Sequence, residues 1–224
     1  MPITDWPENE RPREKLIVRG PDALSDAELL AILLRVGIAG KSAVDLAREL
    51  LNEFGGIHAL LSASPKEVAK IKGLGQAKAL QFQAALHLGK RALAEQLKIK
   101  PALGSSLLVQ NYVRLLFSGE TSEVFMAVFM DAQNQLIASV PLFRGTLTQT
   151  SVYPREVVKA ALNYNAAALI LAHNHPSGIP TPSAADITLT KMLKAALALI
   201  DVRVHDHFIV VADQAVSMAE QGLM

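Results

Sequence analysis

The apolar residues of this chain change their spacing once, near residue 100, and that change limits what the chain can fold into. From Asp22 to about Leu97 they recur at three- and four-residue intervals, the period of amphipathic helices. Beyond residue 104, short strand-length apolar runs are interleaved with helical ones. The pattern therefore predicts an α/β protein in two parts, an all-α domain and then a mixed sheet covered by helices. Domain bounds follow: a flexible segment over 1–20, where charge and proline mix, a helical domain over 21–97, and an α/β domain over 104–224. The stretch Leu97–Gly104, with Pro101 and Gly104, reads as the linker. A chain of 224 residues, half of them hydrophobic, can fill two small cores.

In the first part, LSDAELLAILLRVG opens with Ser25 and Glu28 in capping-box register. Gly37 and Gly40 interrupt the run, and KSAVDLARELLNEF resumes it up to Gly55-Gly56. SPKEVAKI starts with Ser64 as cap and Pro65 at the first helical position. A long helical run, QAKALQFQAALHLGKRALAEQ, follows Lys72-Gly73-Leu74-Gly75. The turns RVGIAGKSA and IKGLGQAKA can be superposed, matching Gly37 with Gly73, Ile38 with Leu74 and Ala43 with Ala79. A duplicated helix–hairpin–helix unit is the simplest explanation.

In the second part, a helix begins at Ser105 or Ser106, and EVFMAVFMD and QLIASVPLF are strands around a DAQN turn. YPREVVKAALNYN is a helix, AALILAH a buried strand, PSAADITLTKMLKAALALI a helix, and VRVHDHFIVVAD a closing strand.

The chain has no cysteine, which removes disulfides, thiol nucleophiles and every Cys-based zinc site. A zinc nucleobase deaminase, with its Cys-containing ligands and H-x-E, is excluded with them. Any transition metal must be held by His and carboxylate. No apolar run reaches the roughly 18–20 residues that span a bilayer, and the first residues carry no secretory pattern. The expected setting is cytoplasmic, with no membrane partner. Net charge is only +1, but residues 66–100 hold 8 basic and 2 acidic residues. That stripe can contact phosphates, but by itself it reads more simply as a solvated helix face.

One segment concentrates chemistry. His173 and His175 stand two apart at the end of the AALILAH strand, so their side chains project to the same side. The C-terminal strand edge is where α/β sheets commonly place sites. A loop with Pro176, Gly178, Pro180 and Pro182 follows, and Asp186 arrives in the first turn of the next helix. Two His and one carboxylate form the ligand set of a catalytic zinc site with an open fourth position. Ser183-Ala184-Ala185-Asp186 is also a sound capping motif, which by itself accounts for both residues. His205 and His207, again two apart, read as structural or as orienting a ligand, with Asp206 facing the other way.

H-x-H-P followed by S-x-x-D resembles the JAMM (JAB1/MPN) metalloprotease signature. The longer form HNHPSG…TPS..D is similar to the RadC family of bacterial proteins. ERPREKL at 10–16, LSDAELLAILLR at 24–35, YPREVVKAAL at 153–162 and DHFIV at 206–210 extend the likeness over nearly the whole chain. RVGIAGKS at 35–42 departs from the Thr-Gly form usual for that turn. The resemblance implies a JAB1/MPN-like, cytidine-deaminase-like sheet domain behind a helix–hairpin–helix domain. It implies one zinc ion per chain on His173, His175 and Asp186, an oxyanion-holding Ser183, and Glu123 as acid/base. Glu156 is the other candidate base, but it opens a helix, where the dipole explains an acidic residue; Glu123 heads an apolar strand.

The expected activity is that of a metallopeptidase-like hydrolase cleaving a peptide or isopeptide bond in an unidentified peptide or protein substrate. The alternative is a DNA-associated repair-accessory protein in which the metal domain is structural. For that role the second hairpin offers Lys72, Gly73, Gly75 and Lys78, at a helix N-terminus suited to a DNA phosphate backbone.

Overall fold

A computed structural model describes residues 3–104, 106–145, 152–212 and 214–224. The chain divides into two compact units, Met1–His87 and Leu88–Met224.

The first unit is helical: α1 Pro12–Arg19, α2 Asp26–Leu34, α3 Ala43–Phe54, α4 Ile57–Ser62, α5 Pro65–Val68 and the start of α6 Gln76–Ile99. Leu30, Leu34, Leu46, Leu50, Leu60, Leu74 and Phe82 form its core. Three helices open with capping boxes, Ser25–Glu28, Ser42–Asp45 and Ser64–Glu67. Each satisfies two backbone groups that a helix start leaves open. Where a flexible segment is expected over 1–20, Ile3 and Trp6 pack against the core and Arg11 donates to the carbonyls of Thr4 and Trp6. Two apolar side chains too sparse to register as a period are enough to seat that segment.

The two glycine turns do different work. A Cβ on Gly37 would collide with the backbone at Lys41 and Ser42, closing its own hairpin. Gly73, at φ +91°, has Ile38 of the first hairpin seated where its Cβ would stand. Ala43 opens α3, whereas Ala79 lies inside the first turn of α6, so the two copies are not superposable residue for residue.

The division between units falls inside α6, not at the linker expected over 97–104. Leu93, Ala94 and Leu97 of that helix pack into the second unit's core. An unbroken helical period carries no mark of which core each turn joins.

The second unit is built on a five-stranded sheet of order β2-β1-β3-β4-β5. Its strands are β1 Val124–Met130, β2 Leu136–Arg144, β3 Ala168–Asn174, β4 Arg203–Val211 and β5 Gln214–Ser217. Its helices are α7 Ser106–Leu116, α8 Pro154–Asn163 and α9 Ala184–Ala198. Ser105, the alternative start of α7, lies outside the described residues. β3 and β4 are parallel and joined through α9, while every other pairing is antiparallel. The expected mixed sheet covered by helices is present, with β5 as an unexpected edge strand.

Alternation along β1 divides the core. Val124, Met126, Val128 and Met130 pack with Val109, Tyr112 and Val113 of α7. Phe125, Ala127 and Phe129 pack with Val157 and Ala161 of α8 and Leu193 and Leu197 of α9. β1 and β3 are thus buried on both faces, and their apolar sequences are nearly continuous for that reason. Among the described residues no helix is long and apolar enough to cross a membrane.

Candidate metal centre

The polar cluster lies where β3 runs out. Phe125 pairs with His173 across the antiparallel β1–β3 ladder, and His175 extends the parallel pairing through its N–H to the Val210 carbonyl. The His175 carbonyl then accepts from Gly178 N–H, and Gly178 takes φ +78° to complete the turn. The proline-rich loop brings the chain back so that Ser183 caps α9 and Asp186 stands in its first turn.

Three ligand atoms converge there. His173 Nε2 is 2.9 Å from His175 Nε2 and 3.2 Å from Asp186 Oδ1, and His175 Nε2 is 3.5 Å from Asp186 Oδ2. Tetrahedral donors around zinc at ~2.0–2.1 Å stand ~3.3–3.4 Å apart. The observed spacing suits one small cation. His173 is buried, while His175 and Asp186 are partly open to solvent. The cluster therefore has a rigid back and an accessible mouth.

The surroundings direct the rings. His175 Nδ1 is 2.7 Å from the Ile179 carbonyl, which can only accept, so Nδ1 carries a proton and Nε2 has the lone pair whenever the ring is neutral. Phe125 stacks on His173 with ring centroids 6.1 Å apart. Burial of Asp186 opposes its ionisation, but hydrogen bonds from His173, His175 and Ser183 outweigh it and hold the carboxyl far below the ordinary range. The same carboxylate raises the pKa of His175 against the opposing effect of burial, with the Ile179 carbonyl adding to the rise. A site that draws a proton onto its imidazole in this way is one arranged for positive charge.

Ser183 and Asp186 satisfy the cap and the cluster together. Ser183 N–H donates to Asp186 Oδ2 at 2.7 Å, and Asp186 N–H donates to Ser183 Oγ at 3.1 Å. Glu123 stands just before β1, two residues from Phe125, close enough for its charge to favour the protonated form of His175. Asn174 clamps that position: its Oδ1 accepts from Val124 N–H at 2.7 Å, and its Nδ2 donates to the Ser122 carbonyl at 2.9 Å. Glu156 instead lies in the first turn of α8, paired with Arg155 at 3.2 Å.

His205 and His207 do not face one way. Leu169 pairs with Val204 but Ile170 with Asp206, so His205 is the extra residue of a bulge that resets the alternation. His205 Nε2 ends 2.6 Å from Asn134 Oδ1, whereas His207 Nε2 is 2.8 Å from His173 Nδ1. Asp206 caps neighbouring backbone, accepting from the N–H groups of His207 and Ala219 and from Ser217 Oγ. Two participants escape the sequence reading. Asn174 is hidden by its ligand neighbours on either side. Thr190, one helical turn beyond Asp186, is a fully buried polar residue on an otherwise apolar helix face, which is the signal that could have found it.

In the first unit, Lys72, Gly73 and Gly75 are exposed on the second hairpin. Lys78 Nζ turns back to the carbonyls of Gly73 at 3.1 Å and Val36 at 3.4 Å, tying the two hairpins together.

A sheet of this order, with two His on a strand end and Asp on the next helix, defines a JAB-type domain. A family model described as the RadC-like JAB domain matches residues 103–223, and one described as UPF0758 N-terminal matches residues 3–80. The UPF0758 protein of Aromatoleum aromaticum is 60% identical over 225 residues, covering 100% of both chains. That of Herminiimonas arsenicoxydans is 59% identical over 222 residues, 99% of each, and that of Nitrosospira multiformis 58% identical over 224 residues, 100% of each. The chain belongs to the RadC-like, UPF0758 family.

Proposed function

We propose that the chain is a zinc-dependent hydrolase of peptide or isopeptide bonds. The observation that carries the reading is the convergence of His173 Nε2, His175 Nε2 and an Asp186 oxygen within 2.9–3.5 Å, beside a carboxylate that is not a ligand. Imidazole and carboxylate donors in a set of three suit zinc. Zinc held by His173, His175 and Asp186 would supply a Lewis acid able to polarise a carbonyl and lower the pKa of the attacking water.

The chain's own groups handle the protons. Glu123 takes a proton from the attacking water and returns it to the leaving amine nitrogen, which restores the carboxylate. Ser183 Oγ accepts from Asp186 N–H, and its hydroxyl, which also favours the Asp186 carboxylate, is the donor that can turn to the carbonyl oxygen as that oxygen gains charge. Asn174 holds Glu123 in place through the backbone on either side of it.

Glu123→Gln is the direct test, with metal content measured by atomic emission and cleavage read on a peptide library and on linked-protein conjugates. Stoichiometric zinc with turnover lowered roughly 10²–10⁴-fold is expected. Loss of zinc, or retained turnover, removes Glu123 from the mechanism. His175→Ala with unchanged zinc removes the ligand set.

The second reading, contact with a DNA phosphate backbone, rests on the exposed Lys72–Gly75 turn and the basic residues around it. Lys78 is less available, since its ammonium is engaged by two carbonyls. Binding to branched or single-stranded DNA at low salt, lost in Lys72→Ala, is the expected result; no binding at low salt dismisses it.

A further inference from the structure

His207 is fully buried and has no part in the reaction described above. Its Nε2 is 2.8 Å from His173 Nδ1, and its Nδ1 is 2.6 Å from Thr190 Oγ1. Thr190 Oγ1 is in turn 2.6 Å from the backbone carbonyl oxygen of Asp186. At such distances two lone pairs repel, so each of the three contacts holds one proton.

The protons can be assigned in order. A carbonyl only accepts, so the single hydroxyl proton of Thr190 lies toward Asp186. The proton between Thr190 and His207 must then belong to His207 Nδ1. Full burial, with no carboxylate in hydrogen-bond contact, keeps the His207 ring neutral, and a neutral ring protonated at Nδ1 has Nε2 as an acceptor. The remaining proton sits on His173 Nδ1. His173 Nε2, the atom that faces His175 and Asp186, is left as an acceptor, and without a metal its 2.9 Å contact with His175 Nε2 is closed by a proton on His175. Met218 Sδ, at 3.8 Å from the threonine oxygen, is too weak an acceptor to compete for its proton.

We propose that Thr190 and His207 are positioning residues that lock His173 in the Nδ1–H tautomer. The inference deepens the metal reading and rests on it for its purpose. The relay also joins two ligands, since it begins at the backbone of Asp186 and ends on the ring of His173. Reversing it explains the need: with the hydroxyl proton given to His207, both rings switch tautomer and His173 Nε2 is capped by hydrogen.

Long-range nitrogen–proton NMR on the full metal-free chain reads the tautomers directly. Protonated Nδ1 is expected on both His207 and His173, and protonated Nε2 on either ring overturns the proposal. Cobalt(II) titration supplies the second readout. Thr190→Val is expected to bind roughly 10–100-fold more weakly, while Thr190→Ser, which keeps the hydroxyl, binds as the unsubstituted chain does. Unchanged affinity in Thr190→Val overturns the relay. Since NMR uses the unsubstituted chain, a variant that fails to fold leaves the tautomer test intact. Both rings in the expected tautomer with no cobalt uptake uphold the relay and refute the metal reading.

Discussion

The same four-residue device opens helices in both units, and it has different consequences in each. In the helical unit, Ser25, Ser42 and Ser64 donate their hydroxyls to their own box carboxylates at 2.9, 2.7 and 2.7 Å. Those boxes serve helix starts, and the Glu28 carboxylate also pairs with Lys15 of α1 at 2.9 Å. At Ser183 the carboxylate of Asp186 is turned toward His173 and His175, and the box is held by backbone N–H groups. A local motif thus sets where a helix starts, while the neighbours brought by the fold set whether its polar atoms have a second task. The contrast extends to the interior. Among the described residues, every buried polar or charged side chain lies in the sheet unit: His173, Asn174, Thr190, His207 and Ser217. Burying such groups costs stability unless each is partnered, and four of these five sit at the candidate metal centre.

The largest separation between the two kinds of box should appear on exchanging serine for alanine. Ser183→Ala is expected to lower turnover about 10²–10³-fold, the effect of losing one donor to a developing oxyanion. The matched Ser64→Ala should cost about 1 kcal/mol of stability and leave turnover and zinc content unchanged. Equal activity losses in the two variants, measured against melting curves, would erase the distinction.

Backbone strain gives the next effect, on the opposite unit. Gly73→Ala places a Cβ against Ile38 at a positive φ, and roughly 2–4 kcal/mol of destabilisation should follow. Hydrogen exchange is expected to quicken in residues 3–87, with zinc binding preserved. Loss of zinc in this variant would show that the units are not independent in function.

The smallest effect is the pH response, which differs in sign and range. Asp45 and Glu67 are held below their ordinary values by the hydroxyls and N–H groups of Ser42 and Ser64. Their contribution is complete above the ordinary carboxylate pKa, about 4, and is lost as pH falls through the range below it. Burial, helped by nearby His173, holds His207 well below its ordinary value of about 6.5, so its contribution fades as pH falls below that point. His175, raised chiefly by its hydrogen bond to Asp186, has the opposite sign and loses its contribution as pH rises above about 6.5. Metal-free protein should therefore show a shallow stability maximum near neutrality in the sheet unit, a range in which the Asp45 and Glu67 contributions of the helical unit stay constant. Exchange rates measured unit by unit across pH check this, and parallel curves would refute it.

Much of this architecture was legible beforehand. The Ser25 and Ser64 caps, the Gly55 stop, the buried β1 and β3 and the segment at 173–186 that brings two histidines and an aspartate together all stand on local chemistry. Local information failed where one pattern serves two masters. The period of α6 is continuous across the division at His87, and the bulge at His205 leaves no trace in an alternating strand. The part played by Asn174 could not be read, because its partners, Ser122 and Val124, are some fifty residues away in sequence.

The sequence by itself determined the capped starts of α2, α5 and α9, the succession of β1 to β4 with the helices between them, and the donor types available to a metal in a chain without cysteine. These follow from neighbours within a few residues, where spacing and side-chain chemistry act directly. Only the tertiary structure decided that the Asp186 carboxylate meets two histidines as well as its own serine, and that His207 rather than His205 meets His173. Those choices depend on strand register and on β3, α9 and β4 meeting at one edge, and contacts made across such distances leave no period in the chain.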